Sequence, residues 1–258
     1  EAFTLHQSLF VVDLHADALL WKRDLLKHNY LGHVDLPRLL SGNVALQVFG
    51  VVTKHPYRSN FISTQASRGD YITALAIAQR WPARTWRSLF QRALYQAEKL
   101  DRLAQASSGK LMLVRNRQDL DRLLARRAAR EQVAGGFPSL EGVHALEGRL
   151  ERLDRLFTAG FRMIGLTHFF DNEAAGSAHG IKKAGLTPFG QDVVRRTQEL
   201  HMILDLAHAS PEAIDEVLEM TGAPLVVSHT GVKGNFDSPR NLSDDHIRRI
   251  AAAGGVIG

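Results

Sequence analysis

VVDLHADALL, residues 11–20, threads Asp13, His15 and Asp17 at every second position through an otherwise apolar run. A strand sends alternate side chains to opposite faces, so the three polar groups are expected on one face. Burying such groups without partners is costly. Downstream the theme returns: Glu141 and His144 lie in FPSLEGVHAL, His168 ends IGLTH, His208 ends LDLAH and His229 ends VVSH. Imidazole and carboxylate together form the ligand set that zinc or a similar divalent ion takes. The polar face of the first segment is therefore expected to look at metal.

Each piece has a plainer reading. A single His at a strand end is more often a hydrogen-bonded rim residue than a ligand, and His-x-Asp occurs a second time as His33 and Asp35 in GHVDLP. That copy lies between Gly32 and Pro37, outside any apolar run, and reads as a surface turn. Asp13 and Asp205 sit deeper in their strands. They either orient ligands from behind or are capped by backbone amides. Glu141 competes with Glu147 in EGVHALEG; it is preferred because it directly follows the apolar Pro-Ser-Leu, whereas Glu147 falls in loop. The weight rests on repetition at equivalent strand ends.

Those side chains need a scaffold that gathers strand ends. The apolar segments are FVVDLHADAL, VALQVFGVVT, FPSLEGVHAL, FRMIGLTHFF, MILDLAHAS, APLVVSHTG and GGVIG, most of them followed by a helical pattern. PEAIDEVLEM is the best-marked helix, with Ser210 as N-cap, Pro211 in its first turn and Gly222 after its end. Another helix is expected to begin at Ser243, followed by two aspartates that suit its dipole. Strand–helix alternation over short loops implies a parallel sheet covered on both sides. Seven such units in 258 residues suit an α/β fold of (β/α)8 TIM-barrel type, whose C-terminal strand ends carry the site. One domain over 1–258 is expected, with an insertion at 54–110 after the second strand. That insertion reads at least as readily as packing as it does as a substrate lid.

The formal charge of +5 comes largely from Arg-rich stretches such as RLLARRAAR. No aromatic residues interleave with them, so a solvated helix face is expected and no nucleic-acid partner. No apolar run is long enough to span a membrane, and cysteine is absent, which excludes disulfides.

HAD in the first strand, EGVH, LTHFFDN, GLTPFGQDVV, LDLAHAS, VVSHT and SPRNLSDD come in the order seen in the membrane dipeptidase (renal dipeptidase-like) family of zinc peptidases. The chain resembles that family from about residue 8 to 258. The resemblance implies a metal-dependent hydrolase barrel holding two zinc ions, with His15 and Asp17 on one, His208 and His229 on the other, and Glu141 and a water or hydroxide bridging them. It implies that His168 contacts substrate near the scissile bond and that Arg240, in SPRN, pairs with the substrate carboxylate. A planar guanidinium suits that task. The implied substrate is a small dipeptide with a free C-terminus, with tolerance of a D-residue there. The resemblance is also compatible with a homodimer and with membrane association through a leader ahead of Glu1, and by analogy it favours the cell envelope.

Two departures accompany the likeness. The family carries a catalytic aspartate on its eighth strand, in a segment resembling GSDFDG, and no such segment is present; the seventh core strand is the last. The expectation is a longer natural protein whose acid/base aspartate lies beyond Gly258, the barrel here lacking its eighth strand. The loop after the first strand also reads ADALLWKRD, where better-known members have a short Asn-Asp-Leu-Pro-like turn. The rival readings are another binuclear hydrolase acting on an amide, lactone or phosphoester, and a metal-binding homologue without catalysis.

Overall fold

A computed structural model describes residues 1–258. The chain divides into two compact units, one of 1–51 with 95–139, the other of 52–94 with 140–258.

The first unit opens with helix α1 (Ala2–Ser8), then strand β1 (Val11–Ala16), helix α2 (Leu36–Ser41) and strand β2 (Val44–Val52), whose last residue falls in the second unit. β1 and β2 run parallel, Val11 opposite Val44 and Ala16 opposite Phe49, with an irregular register between Asp13 and Ala16. Strand β3 (Leu111–Leu113) lies parallel on the start of strand β4 (Ala134–Glu141), Leu111 opposite Ala134. The second and third residues of β4 are glycines because neighbours come too close for side chains. A Cβ on Gly135 would meet Leu123 at 2.4 Å, and one on Gly136 would meet Phe49 at 2.7 Å. Phe49, Leu100, Leu111 and Leu123 are buried in this unit's core. Asn116 caps α6 (Arg117–Ala128), whose Arg117 and Arg122 pair with Asp121 and Asp119 of the same helix, while Arg127 turns inward to Asn43 and the Val133 carbonyl.

In the second unit the tail of β4 is joined by β5 (Met163–Gly165), β6 (Ile203–Asp205), β7 (Val226–Val227) and β8 (Val256–Ile257). The Gly142 amide donates to the Gly165 carbonyl at 3.2 Å, and β5–β6, β6–β7 and β7–β8 are parallel. β4 runs through both units, so the strand order is β1-β2-β4-β5-β6-β7-β8, with β3 on β4. This is the parallel α/β class expected, seven strands in the order of a TIM-type barrel lacking one. β3 was not anticipated, because three apolar residues in KLMLVRN carry too little pattern to mark a strand.

Helices α7 (Glu151–Thr158), α8 (Pro188–Glu199), α9 (Pro211–Met220) and α10 (Asp244–Ala252) cover these strands through Leu153, Leu156, Val193, Val194, Val217 and Ile250, all buried. The Ser210 hydroxyl accepts from the Ala213 amide and the Ser243 hydroxyl from the His246 amide, the two N-caps expected.

The excursion after β2 holds α3 (Tyr71–Ala78), α4 (Arg84–Arg87) and α5 (Leu89–Ala106). The pattern WRSLFQRALYQAEKLDRL is split in two at Ser88, where Glu147 accepts from the Ser88 hydroxyl and the Leu89 amide. Arg92 is fully buried; its guanidinium donates to the carbonyls of Thr53, Thr85 and Trp86 and, at 2.5 Å, to Asp70. No helix is long and apolar enough to cross a membrane.

Candidate metal centre

Glu141 is the last residue of β4. His208 lies three residues past β6, His168 three past β5 and His229 two past β7. These strand ends bring three imidazoles onto one carboxylate oxygen. The Nε2 atoms of His208, His168 and His229 are 3.0, 3.4 and 3.7 Å from Glu141 Oε1. The side chains of Glu141, His168 and His208 are 8, 6 and 7% exposed, and their donor atoms lie within 4.8 Å of one another. Burial, with Arg240 and the neighbouring imidazoles, pushes His208 well below the ordinary histidine range. It is therefore neutral and offers a lone pair, as a ligand must. Its Nδ1 is buried without a hydrogen-bond partner. A nitrogen-rich donor set around one largely buried carboxylate fits a divalent transition ion.

The backbone at His208 is left-handed, φ 66°, a conformation costing an L-residue about 1–3 kcal/mol. The Ala178 amide donates to the His208 carbonyl at 2.8 Å and helps hold it there. Asp205 accepts from the amides of Ala207 and Ser228, so it is amide-capped; it also accepts the Ser228 hydroxyl at 2.5 Å, and that hydroxyl contacts His229 Nδ1 at 2.9 Å. The amide-capped reading of Asp205 is thus met, and through Ser228 the carboxylate also reaches the far side of the His229 ring. Asp13 accepts from the His15 amide at 3.0 Å and follows the amide-capped reading.

In the first unit His15 Nε2 and Asp17 Oδ1 stand 3.1 Å apart. Gly50 on β2 leaves room for them: a Cβ there would come 2.5 Å from Asp17 Oδ1 and 2.7 Å from His15 Cε1. Arg240 Nη2 donates to the His229 carbonyl at 2.6 Å. Burial lowers its pKa while Asp205 and Glu141 oppose the shift, so the group stays cationic beside the cluster.

The decoys fall elsewhere. Asp35 caps α2 through the Arg38 amide and is buried, a helix start rather than a surface turn. Glu147 accepts from Arg152 and the start of α5. His144 is buried neutral by desolvation, its Nε2 3.1 Å from Thr53 Oγ1.

Sequence reasoning did not single out the surroundings of the cluster. Phe169 packs its ring on His168, His208, His55 and His179, at centroid distances of 4.8, 5.6, 4.9 and 4.6 Å. Asp171 accepts from the amides of Ser177, Ile181, Lys182 and Lys183 and so shapes the loop that carries His179. The Thr64 amide donates to the His179 carbonyl at 2.7 Å, docking the excursion on that loop. The adjacent FFDN of LTHFFDN was the available signal for Phe169 and Asp171.

A family model for membrane dipeptidase (peptidase family M19) matches residues 1–258. The chain belongs to the membrane dipeptidase family. Human Dipeptidase 3 is 28% identical over 88% of the chain and 46% of its own length. An uncharacterized dipeptidase of Schizosaccharomyces pombe is 27% identical over 96% of the chain and 58% of its own length. The chain thus spans about half the length of these curated relatives. Among solved structures, the probable dipeptidase PvdM of Pseudomonas aeruginosa shares the fold with a TM-score of 0.77 at 21% identity, over 99% of the chain and 61% of that protein. A metallo peptidase from Rhodobacter sphaeroides, liganded with a phosphinate mimic of the dipeptide L-Ala-D-Ala, has a TM-score of 0.71 at 22% identity, over 97% of the chain and 73% of that protein.

Proposed function

We propose that this membrane dipeptidase family chain forms the metal and substrate site of a zinc-dependent dipeptidase. The observation that carries the reading is the convergence of three imidazoles on Glu141 with the Arg240 guanidinium alongside. Glu141, His208 and His229 would hold metal; by the resemblance the ions are two zincs and His15 and Asp17 are further ligands. When bound, such ions supply a water of lowered pKa and polarise the peptide carbonyl.

The chain's own residues then define the substrate. Arg240 commits one N–H to the His229 carbonyl, and the rest of its fork is available to a carboxylate. A free C-terminus in the substrate answers that need. His168, beside Glu141, would hydrogen-bond the substrate near the scissile bond. The Rhodobacter sphaeroides relative's dipeptide mimic supports a D-residue at the C-terminal position.

The test is calorimetric binding of a phosphinate mimic of L-Ala-D-Ala to the metal-loaded chain. Replacing Arg240→Met should weaken binding about 10–100-fold, the worth of a charge-assisted hydrogen bond, without changing metal content. Equal affinity in the two proteins would overturn carboxylate recognition.

A further inference from the structure

The two imidazoles nearest each other in the cluster are held very differently on their far sides. His208 Nδ1 is buried without a partner. His229 Nδ1 instead lies 2.9 Å from Ser228 Oγ, and Ser228 Oγ lies 2.5 Å from Asp205 Oδ2. Asp205 is fixed in turn by two backbone amides, from Ala207 at 3.0 Å and Ser228 at 2.9 Å. Asp205 and Ser228 are each 4% exposed, so water has little access to compete.

The direction of the hydrogen bonds follows from chemistry. A carboxylate has no proton to give, so the Ser228 hydroxyl proton points to Asp205 Oδ2. The hydroxyl oxygen is then left as an acceptor toward His229, and only an N–H on Nδ1 satisfies it. In its neutral form, the form a metal takes up, the imidazole carries one proton, and with that proton on Nδ1 the Nε2 lone pair lies on the side of Glu141, 3.7 Å away.

We infer that Asp205 and Ser228 form a relay that fixes the tautomer and ring orientation of His229, making Ser228 a positioning residue for metal capture. This rests on the metal-binding reading of the cluster. Carboxylate partners behind ligating histidines set tautomer and affinity in metal sites generally; here a serine hydroxyl is interposed. His208 depends instead on its left-handed backbone and the Ala178 amide for orientation. The two ligands are thus prepared by separate means, and only His229 has its proton assigned by the protein.

Nitrogen-15 NMR of the imidazoles in the metal-free chain, with His229→Gln to assign the resonance, reads the tautomer directly. The relay requires His229 protonated on Nδ1 in the wild type and a mixture of tautomers in Ser228→Ala. Asp205 keeps both amide bonds in that variant, so the fold is retained. Cobalt(II) titration followed by visible absorption should show affinity falling about 10–100-fold in Ser228→Ala and recovering in Ser228→Thr, which restores a hydroxyl. An Nε2–H tautomer in the wild type, or unchanged tautomer and affinity in Ser228→Ala, overturns the relay. Failure of the wild type to take up cobalt would count against the metal reading alone, because the tautomer is measured without metal.

Discussion

His208 and His229 bring their Nε2 atoms to 2.9 Å of each other, both facing the Glu141 carboxylate. Two lone pairs at that separation repel unless a proton or a cation is shared between them. A metal ion would be such a cation, and His208, held neutral by burial, has a lone pair to offer it. The strand ends that create the arrangement come from β4, β6 and β7, so it is a property of the fold and not of one flexible loop.

Gly50 leaves the space that the His15 and Asp17 side chains occupy in the first unit. Gly50→Ala places a methyl within contact-forbidden range of both His15 and Asp17, at 2.7 and 2.5 Å. The expected outcome is a folded protein with lower metal content, measured by atomic emission after dialysis. Unaltered content would remove His15 and Asp17 from the ligand set.

The buried Asp70–Arg92 pair sets an acid limit on stability. Burial alone would raise the Asp70 carboxyl, but the His55 amide and the Arg92 guanidinium outweigh it and hold the group below the usual carboxylate range. A depressed folded-state value means a contribution fully present above about pH 4 and lost as pH falls through the folded value. Asp70→Asn should cost about 3–5 kcal/mol at pH 7, since it leaves Arg92 buried without its carboxylate. Urea unfolding of both proteins at pH 7 and pH 3 should show that difference shrinking in acid. A constant gap would mean the pair is not linked to protons.

Asp171 organises its loop with one carboxylate and four amides. Asp171→Ala should leave the helices intact while exposing residues 177–183 to proteolysis, and with them the support of Ala178 on the His208 carbonyl. Cleavage mapped by mass spectrometry after brief trypsin treatment, at Lys182 or Lys183, is the expected sign. Protection equal to wild type would show that the loop holds itself.

Much of this was readable in the sequence because strand ends announce themselves. His168, His208 and His229 each close an apolar run, and a parallel sheet brings such ends to one side, so the cluster and the fold class follow from one pattern. Ser210 and Ser243 were legible for a local reason, a capping hydroxyl before a helical run. What stayed hidden depends on contacts distant in sequence. Ser228 matters only because Asp205, on another strand, lies beside it, and His179 sits in GSAHG with no periodicity to mark it. The break at Ser88 was invisible for the same reason, since Glu147 supplies it from 59 residues away.

Metal content per chain, measured on protein purified without chelator for the wild type and for His208→Ala, tests the central claim most directly. About two equivalents of zinc in the wild type, falling towards one or none in the variant, is the expected result. Well-folded wild-type protein with no stoichiometric metal would contradict it, and would leave the histidines around Glu141 as packing.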